Sequence, residues 1–323
     1  LPDGRAYTYR SRADGVDVLP GDDASTVVEL DEAAFEDLVT ERCSIFGLLY
    51  PGRLRLASGS FGELAAWEAA LNNLWFGRPI YDGRVDLRDR NGDPLDLGAS
   101  FRLGDPDEET DAAHFLHTAG FAVLRGVFNR DEIDELDAEV RRLHAAASPD
   151  DHRSWWATDR DGNEVCCRLT YASERSQRIA ALEHDPRLTR IASWHGAPLR
   201  SSPDRLDGFS VVMKNSDVVK GLSDLPWHRD CGMGGHPVLC PSILIGIQLD
   251  RADAANGQLC FLAGSHHHTN RIDEVSRHPD WPVVPVEADP GDVTVHYTHV
   301  LHVAPPPTAA GAQRRTIYVS FNN

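Results

Sequence analysis

The 323-residue chain has no apolar run approaching the roughly 20 residues that a membrane-spanning helix needs; a stretch such as Ile243–Ile247 is the size of a strand. Positive charge is scarce as well: 32 Lys and Arg stand against 50 Asp and Glu, a net charge of −18. A surface this acidic repels phosphate backbones and anionic headgroups, which argues against nucleic-acid and membrane partners. Cysteine is sparse. The six, at positions 43, 166, 167, 231, 240 and 260, form no CxxC pair, and two are adjacent. Reduced thiols in a cytoplasmic protein are expected, not a disulfide framework. No secretory signal is visible after Leu1, and a start at Leu rather than Met leaves the natural N-terminus open. Internal repeats and low-complexity tracts are missing too. What is there is a globular composition, 41% hydrophobic and 25% charged, able to bury a sizeable core in one large or two modest domains.

Residues 1–80 read as a small α/β unit. Short strands are expected at Tyr7–Arg10, Val16–Leu19 and Thr26–Leu30, with a Gly-Asp-Asp turn at 21–23. Asp31 is placed to cap a helix over Ala33–Val39, and a strand near 52–59 and a helix over Glu63–Leu74 follow. Residues 81–106, rich in Gly, Asp, Arg and Pro without periodicity, read as a surface linker. A domain over 107–323 comes next. A helix from His114 turns through Gly120 into a strand at Phe121–Arg125. A second helix, Asp131–Ala147, repeats Ile133, Leu136, Val140 and Leu143 at helical spacing. From Phe209 onward, short β-rich runs (Phe209–Met213, Ser242–Leu249, Gln258–Leu262, Asp292–Tyr297, Thr316–Phe321) alternate with Gly, Pro and Asn loops. That is the pattern of an all-β sandwich or barrel.

Trp227-His228-Arg229-Asp230 carries the most chemical information. On an extended segment, residues i and i+2 point the same way, so His228 and Asp230 can offer an imidazole nitrogen and a carboxylate oxygen to one point. A second histidine would complete a facial triad, which leaves three metal positions open and suits non-haem Fe(II). The candidate is His302, at the end of Gly291-Asp-Val-Thr-Val-His-Tyr-Thr-His-Val-Leu-His, with His299 and His296 as rivals. On an extended chain His299 and His302 would face opposite ways, so one of the two would reach the metal. Arg314-Arg315 opens the strand Thr316–Phe321. Pro305–Pro307 and Gly311 allow a turn that lays this strand beside the histidine strand. A guanidinium there could grip a co-substrate carboxylate through two parallel bonds.

These stretches resemble, in order, the phytanoyl-CoA dioxygenase family of Fe(II)/2-oxoglutarate oxygenases. They are Phe115-Leu-His-Thr-Ala-Gly-Phe-Ala-Val-Leu-Arg-Gly-Val-Phe-Asn-Arg-Asp-Glu, Pro226-Trp-His-Arg-Asp, Ile247-Gln-Leu-Asp, Asn256-Gly, Gly264-Ser-His, Gly291-Asp-Val with Leu301-His302, and Arg314-Arg-Thr-Ile. The resemblance implies a mainly β fold, a double-stranded β-helix (a cupin-like jelly roll) with flanking helices. It also implies a dioxygenase that hydroxylates a small organic substrate with Fe(II), 2-oxoglutarate and O2, releasing succinate and CO2. By the resemblance His228, Asp230 and His302 would hold the iron. Arg314 would bind the far carboxylate of 2-oxoglutarate, with Arg315 as the rival, and Lys214 would assist. Many members carry Ser two residues after the distal histidine, where this chain has Ala304. Related halogenases replace the carboxylate ligand; Asp230 favours hydroxylation or another oxidation. The N-terminal pattern Val16-Asp-Val-Leu-Pro-Gly-Asp-Asp, Thr26-Val-Val-Glu-Leu-Asp-Glu and Gly52-Arg-Leu-Arg-Leu-Ala-Ser-Gly resembles sterol-carrier-protein-like domains and hints at an apolar substrate.

Plainer readings stand beside these. His266-His267-His268 reads as a solvated loop, and Cys166-Cys167 as packing residues. Trp155-Trp156 either line a substrate entrance or serve packing, and Trp227 packs on the barrel or touches substrate. His228, Cys231, His236 and Cys240 have the spacing of a structural zinc knuckle, a reading that leaves Asp230, His302 and Arg314 without a role. An inactive lipid-binding scaffold is a further alternative, opposed by the intact set of candidate ligands.

Overall fold

The computed structural model describes residues 4–12, 15–40, 42–43, 45–49, 51–77, 85–204, 207–220, 225–230, 242–267 and 280–322. The described residues fall into two compact units, one within residues 1–82 and one within residues 83–230, 240–266 and 275–323.

In the first unit β1 (Tyr7–Arg12) pairs with β2 (Gly15–Pro20), and β3 (Val27–Leu30) with β4 (Leu54–Ser58), both antiparallel. The helices are α1 (Glu32–Val39), α2 (Ile45–Leu49) and α3 (Phe61–Phe76). Asp31 caps α1 by accepting from the Ala34 N–H, and Ser60 caps α3 by accepting from the Glu63 N–H. Ala34, Leu38, Ile45, Leu48 and Leu54 are buried in one apolar cluster. The Asn72 amide closes α1 by donating to the Leu38 and Val39 carbonyls.

The second unit begins with α4 (Pro106–Ala119), β5 (Phe121–Leu124) and α5 (Arg130–Ala145). Helix α4 starts at Pro106, well before the expected His114. Pro106 takes the first helical position, the Asp105 side chain accepts from the Asp107 and Glu108 N–H groups, and Asp107, Glu108 and Glu109 favour the positive end of the helix. Gly120 ends α4 at φ +90, where its N–H returns to Leu116 and the chain turns into β5. In α5 the four periodic residues, Ile133, Leu136, Val140 and Leu143, are all buried. The expected linker is more closely held than a surface segment. Leu87, Leu95, Leu97, Ala99 and Leu103 pack on the main core, and Phe101 bridges to β5, its N–H donating to Val123 and its carbonyl accepting from Arg125.

The chain continues through β6 (Ser154–Asp159), β7 (Glu164–Leu169), α6 (Gln177–Ala180), α7 (Pro186–Ser193), β8 (Arg200–Ser201), β9 (Ser210–Asn215), β10 (Val218–Lys220) and β11 (Leu225–His228). Then come β12 (Ser242–Gln248), β13 (Cys260–Leu262), β14 (Val283–Pro285), β15 (Val293–Tyr297), β16 (His302–Ala304) and β17 (Gln313–Asn322). These strands form two antiparallel sheets, the jelly roll expected. The nine-stranded sheet runs β10-β6-β7-β9-β17-β12-β15-β5, with β8 on β17, and the four-stranded sheet runs β11-β16-β13-β14. One face of the larger sheet carries Ile243, Ile245, Ile247, Val293, Val295, Ile317 and Val319, all fully buried in one core with Phe115 and Leu116 of α4 and Leu136 of α5. The alternate residues, on the inner face, bring in polar and charged groups: Gln248, Thr294, His296, Arg314, Thr316 and Tyr318, beside Leu244 and Gly246.

Candidate metal centre

Strands β11 and β16 pair so that His228 stands opposite His302, with ring centroids 4.2 Å apart. Asp230 follows β11, and its N–H donates to the Thr298 carbonyl at 3.0 Å. The neighbouring Arg229 Nε donates to the His299 carbonyl at 3.0 Å. Two ties from one short segment thus fix the direction of the carboxylate. His228 Nε2 lies 3.6 Å from Asp230 Oδ1, and His302 Nε2 lies 3.7 Å from Asp230 Oδ2. Among the described residues these three form the one cluster with metal-ligand spacing, their ligand atoms all within 4.8 Å of one another. Two imidazoles and one carboxylate are a donor set that fits Fe(II).

The tautomer of His302 is set locally. Its Nδ1 lies 3.0 Å from the Val300 carbonyl, which can only accept, so Nδ1 carries the proton and Nε2 keeps its lone pair. Burial pushes the His302 pKa down to about 3, which keeps the ring neutral as a ligand must be. Burial works against the charge of Asp230. The surrounding imidazoles, with the His296 Nε2–H donating at 3.0 Å, outweigh it, and the carboxyl lies well below the usual range.

His296 plays a part different from the rival-ligand reading. It projects from β15, 1% exposed, and its Nε2–H donates to Asp230 Oδ2 at 3.0 Å. It is outside the three-residue cluster and holds the carboxylate through Oδ2. His299 offers its carbonyl to Arg229 and also stays outside the cluster.

The two arginines separate cleanly. Arg315 is on the outer face, its Nε and Nη2 bonded to the two Asp250 oxygens at 2.8 Å each and its Nη1 to Asp137 of α5. Arg314 is on the inner face, 2% exposed, donating through Nη1 to Thr316 Oγ1 at 3.1 Å, while its Nε has no acceptor among the described residues. Lys214 stands directly opposite Arg314 on β9, 1% exposed, and its Nζ donates to the Ala304 and Pro305 carbonyls. A hydroxyl therefore stands beside Arg314 although Ala304 has none: it comes from Thr316, whose Oγ1 donates to Gln248 Oε1 at 2.9 Å. Gly246 leaves room here, since a Cβ would meet Thr294 Oγ1 at 2.8 Å and Tyr318 Cε1 at 2.9 Å.

Other expectations divide. His266 is packed and not a solvated loop residue; its ring stacks on Tyr297 at 5.1 Å, and its Nε2 lies 2.9 Å from the His117 carbonyl. Cys166 and Cys167 are buried, and burial raises both thiols, Cys166 to about 12, as fits packing residues. Trp227 is half-buried on β11. Cys231, His236, Cys240 and His268 lie outside the described residues.

The sequence profile of the phytanoyl-CoA dioxygenase (PhyH) family matches residues 116–316. No curated protein matches the chain. Among solved structures it is similar to AviO1 from Streptomyces viridochromogenes Tue57, at 26% identity over 68% of this chain and 97% of that one, TM-score 0.54. In fold it is also similar to EctD from S. alaskensis (19% identity, 76% and 87% covered, TM-score 0.55). A third is SnoN, the non-heme alpha-ketoglutarate-dependent epimerase of nogalamycin biosynthesis (21%, 68% and 82%, TM-score 0.54).

Proposed function

The chain belongs to the phytanoyl-CoA dioxygenase family of non-haem iron(II)- and 2-oxoglutarate-dependent oxygenases, and from that premise we propose that it hydroxylates a small organic substrate with release of succinate and CO2. The observation that carries this reading is the convergence of His228, Asp230 and His302 within 4.8 Å, with a neutral, tautomer-fixed His302 and an ionised Asp230.

In this reading those three side chains hold the iron. When bound, the metal supplies the oxygen-activating chemistry that no amino-acid side chain can. Arg314 takes the far carboxylate of 2-oxoglutarate, because its Nε–H is buried with no acceptor while Arg315 is fully engaged by Asp250 and Asp137. Lys214 adds positive charge beside it and braces the end of β16. Thr316 supplies the hydroxyl that Ala304 does not. A triad with its carboxylate in place favours hydroxylation over halogenation. The free thiols of Cys43, Cys166, Cys167 and Cys260 support a reducing, cytoplasmic setting.

Anaerobic titration with Fe(II) and then 2-oxoglutarate tests the reading. A weak visible charge-transfer band that needs both, and that Asp230→Ala abolishes, is the expected result. A stoichiometric zinc held by thiolates would sink it in favour of the knuckle formed by His228, Cys231, His236 and Cys240.

A further inference from the structure

The inner face of the nine-stranded sheet continues beyond Arg314. Val212 stands opposite Thr316 on one side and opposite Arg168 on the other, and Arg168 stands opposite Trp155. Directly opposed residues of antiparallel strands share a face. Arg168 and Trp155 therefore face the same way as Arg314, Arg168 being two strands away from it.

Arg168 is held as a recognition group would be. Its Nη1 lies 2.9 Å from Asp207 Oδ2, and its guanidinium carbon sits 4.9 Å from the centroid of the Trp155 ring. Its Nε–H is buried with no acceptor among the described residues. A buried donor left unpaired is costly, and the outer edge of a guanidinium, Nε with Nη2, is the fork that fits a carboxylate. Trp155 is 36% exposed, so flat apolar surface lies against the guanidinium.

Charge points the same way. Among the described residues the inner face carries Lys214, Arg314 and Arg168, with Asp207 paired to Arg168 and Asp230 at the metal ligands, one positive charge more than negative in a protein whose net charge is −18. Fe(II) and the 2-oxoglutarate dianion cancel each other, so the surplus remains for the substrate.

We propose that Arg168 and Trp155 form the substrate-recognition end of this inner face, and that the substrate presents a carboxylate to Arg168 and a flat or ring-bearing portion to Trp155. The proposal rests on the oxygenase reading above. It gives the otherwise apolar molecule hinted at by the sequence one anionic anchor.

The test uses the full chain loaded with Ni(II) and 2-oxoglutarate. Benzoate, 1-naphthoate and indole-3-carboxylate are titrated calorimetrically beside their carboxamides. The acids should bind at least about tenfold more tightly than the amides. Arg168→Gln should weaken the acids by about tenfold to a hundredfold and leave 2-oxoglutarate affinity unchanged. Asp207→Asn should keep or tighten acid binding, because it frees positive charge; a merely bracing Arg168 would instead make the two variants behave alike. The proposal falls if no acid binds, if the amides bind as well, if Asp207→Asn loses as much as Arg168→Gln, or if Arg168→Gln weakens 2-oxoglutarate. Failure of the oxygenase reading shows separately and earlier: wild-type protein holding the metal would not bind 2-oxoglutarate at all.

Discussion

The larger sheet has two faces of different chemistry: the outer is apolar through its centre, while the inner sets polar and charged groups among Phe121, Val123 and Leu244. Ile243, Ile245 and Ile247 of β12 point to the outer face, and each is fully removed from solvent. Gly246 and Gln248 of the same strand point inward, among Thr294, His296, Arg314, Thr316 and Tyr318. The outer face gains about 25 cal/mol for each Å² of apolar surface it removes from water. The inner face spends part of that gain on desolvating charges and hydroxyls whose pairing is incomplete: Arg314 Nε and His296 Nδ1 are buried with no partner among the described residues. A polar face kept dry at such cost makes sense as a prepared site. The lesson is a division of labour by residue parity, in which neighbouring residues one position apart serve stability and chemistry separately.

Asp230 should give the largest effect. Asp230→Ala removes a metal ligand and the acceptor for His296, and product formation should fall to background while far-ultraviolet circular dichroism keeps its β signature. Coupled turnover at the wild-type level would end the assignment. Next comes the pair on β17. Arg314→Ala truncates one partner of a buried charge pair, a loss of about 2–5 kcal/mol, or roughly thirtyfold to several thousandfold in 2-oxoglutarate dissociation constant. Arg314→Lys should recover part of it, keeping charge without the fork. Arg315→Ala should leave 2-oxoglutarate nearly untouched and lower the unfolding midpoint instead, because it releases Asp250 and Asp137. Equilibrium titration of the three variants decides whether the two faces separate in this way; a reversed ranking would mean the register is off by one.

How much of this was legible in the sequence follows the same parity. His228 and Asp230 share a side by simple alternation, and the polar residues at every second position of β15 and β17 could have marked an inward face: Thr294 and His296, then Arg314, Thr316 and Tyr318. From sequence His296 reads only as a rival ligand, because its partner is 66 positions away and no local pattern reports such a contact. The start of α4 is hard to read for a different reason. Its first turn is Pro106 followed by three acids, of which Glu109 is buried, so hydrophobic periodicity is silent there, and only Asp105-Pro106 signals the boundary. The packing of residues 85–103 has no repeat to read, since Phe101 reaches β5 through backbone bonds that any residue could make.

His296 tests whether the inner face positions its ligands as well as supplying them. Losing the partner of a metal-bound group typically costs about tenfold to a hundredfold in metal affinity. His296→Leu should weaken Fe(II) by that factor in a chelator competition. It should also change the visible spectrum of Co(II)-substituted protein, because Asp230 Oδ2 is released to rotate toward the metal. His296→Asn restores a donor of shorter reach and should recover part of the loss. Wild-type metal affinity in the Leu variant would reduce His296 to packing against Phe261, whose ring lies 5.1 Å away.

The smallest effect belongs to β12, where two adjacent residues probe the two faces with one methyl each. Gly246→Ala adds a carbon to the inner face at 2.8 Å from Thr294 Oγ1 and 2.9 Å from Tyr318 Cε1, so something must move. Overpacking of this kind costs about 1–3 kcal/mol, and because Tyr318 and Thr316 line the same space, 2-oxoglutarate affinity should fall with stability. Ile245→Val removes a carbon from the outer face, where Val295 and Val319 flank it on neighbouring strands. The expected loss is about 0.5–1.5 kcal/mol, read as a lower urea midpoint at unchanged slope, with 2-oxoglutarate affinity the same as wild type. The contrast is the informative quantity. If Ile245→Val also weakened 2-oxoglutarate, the two faces would be mechanically coupled through the strand, and stability and binding could not be assigned to alternate residues.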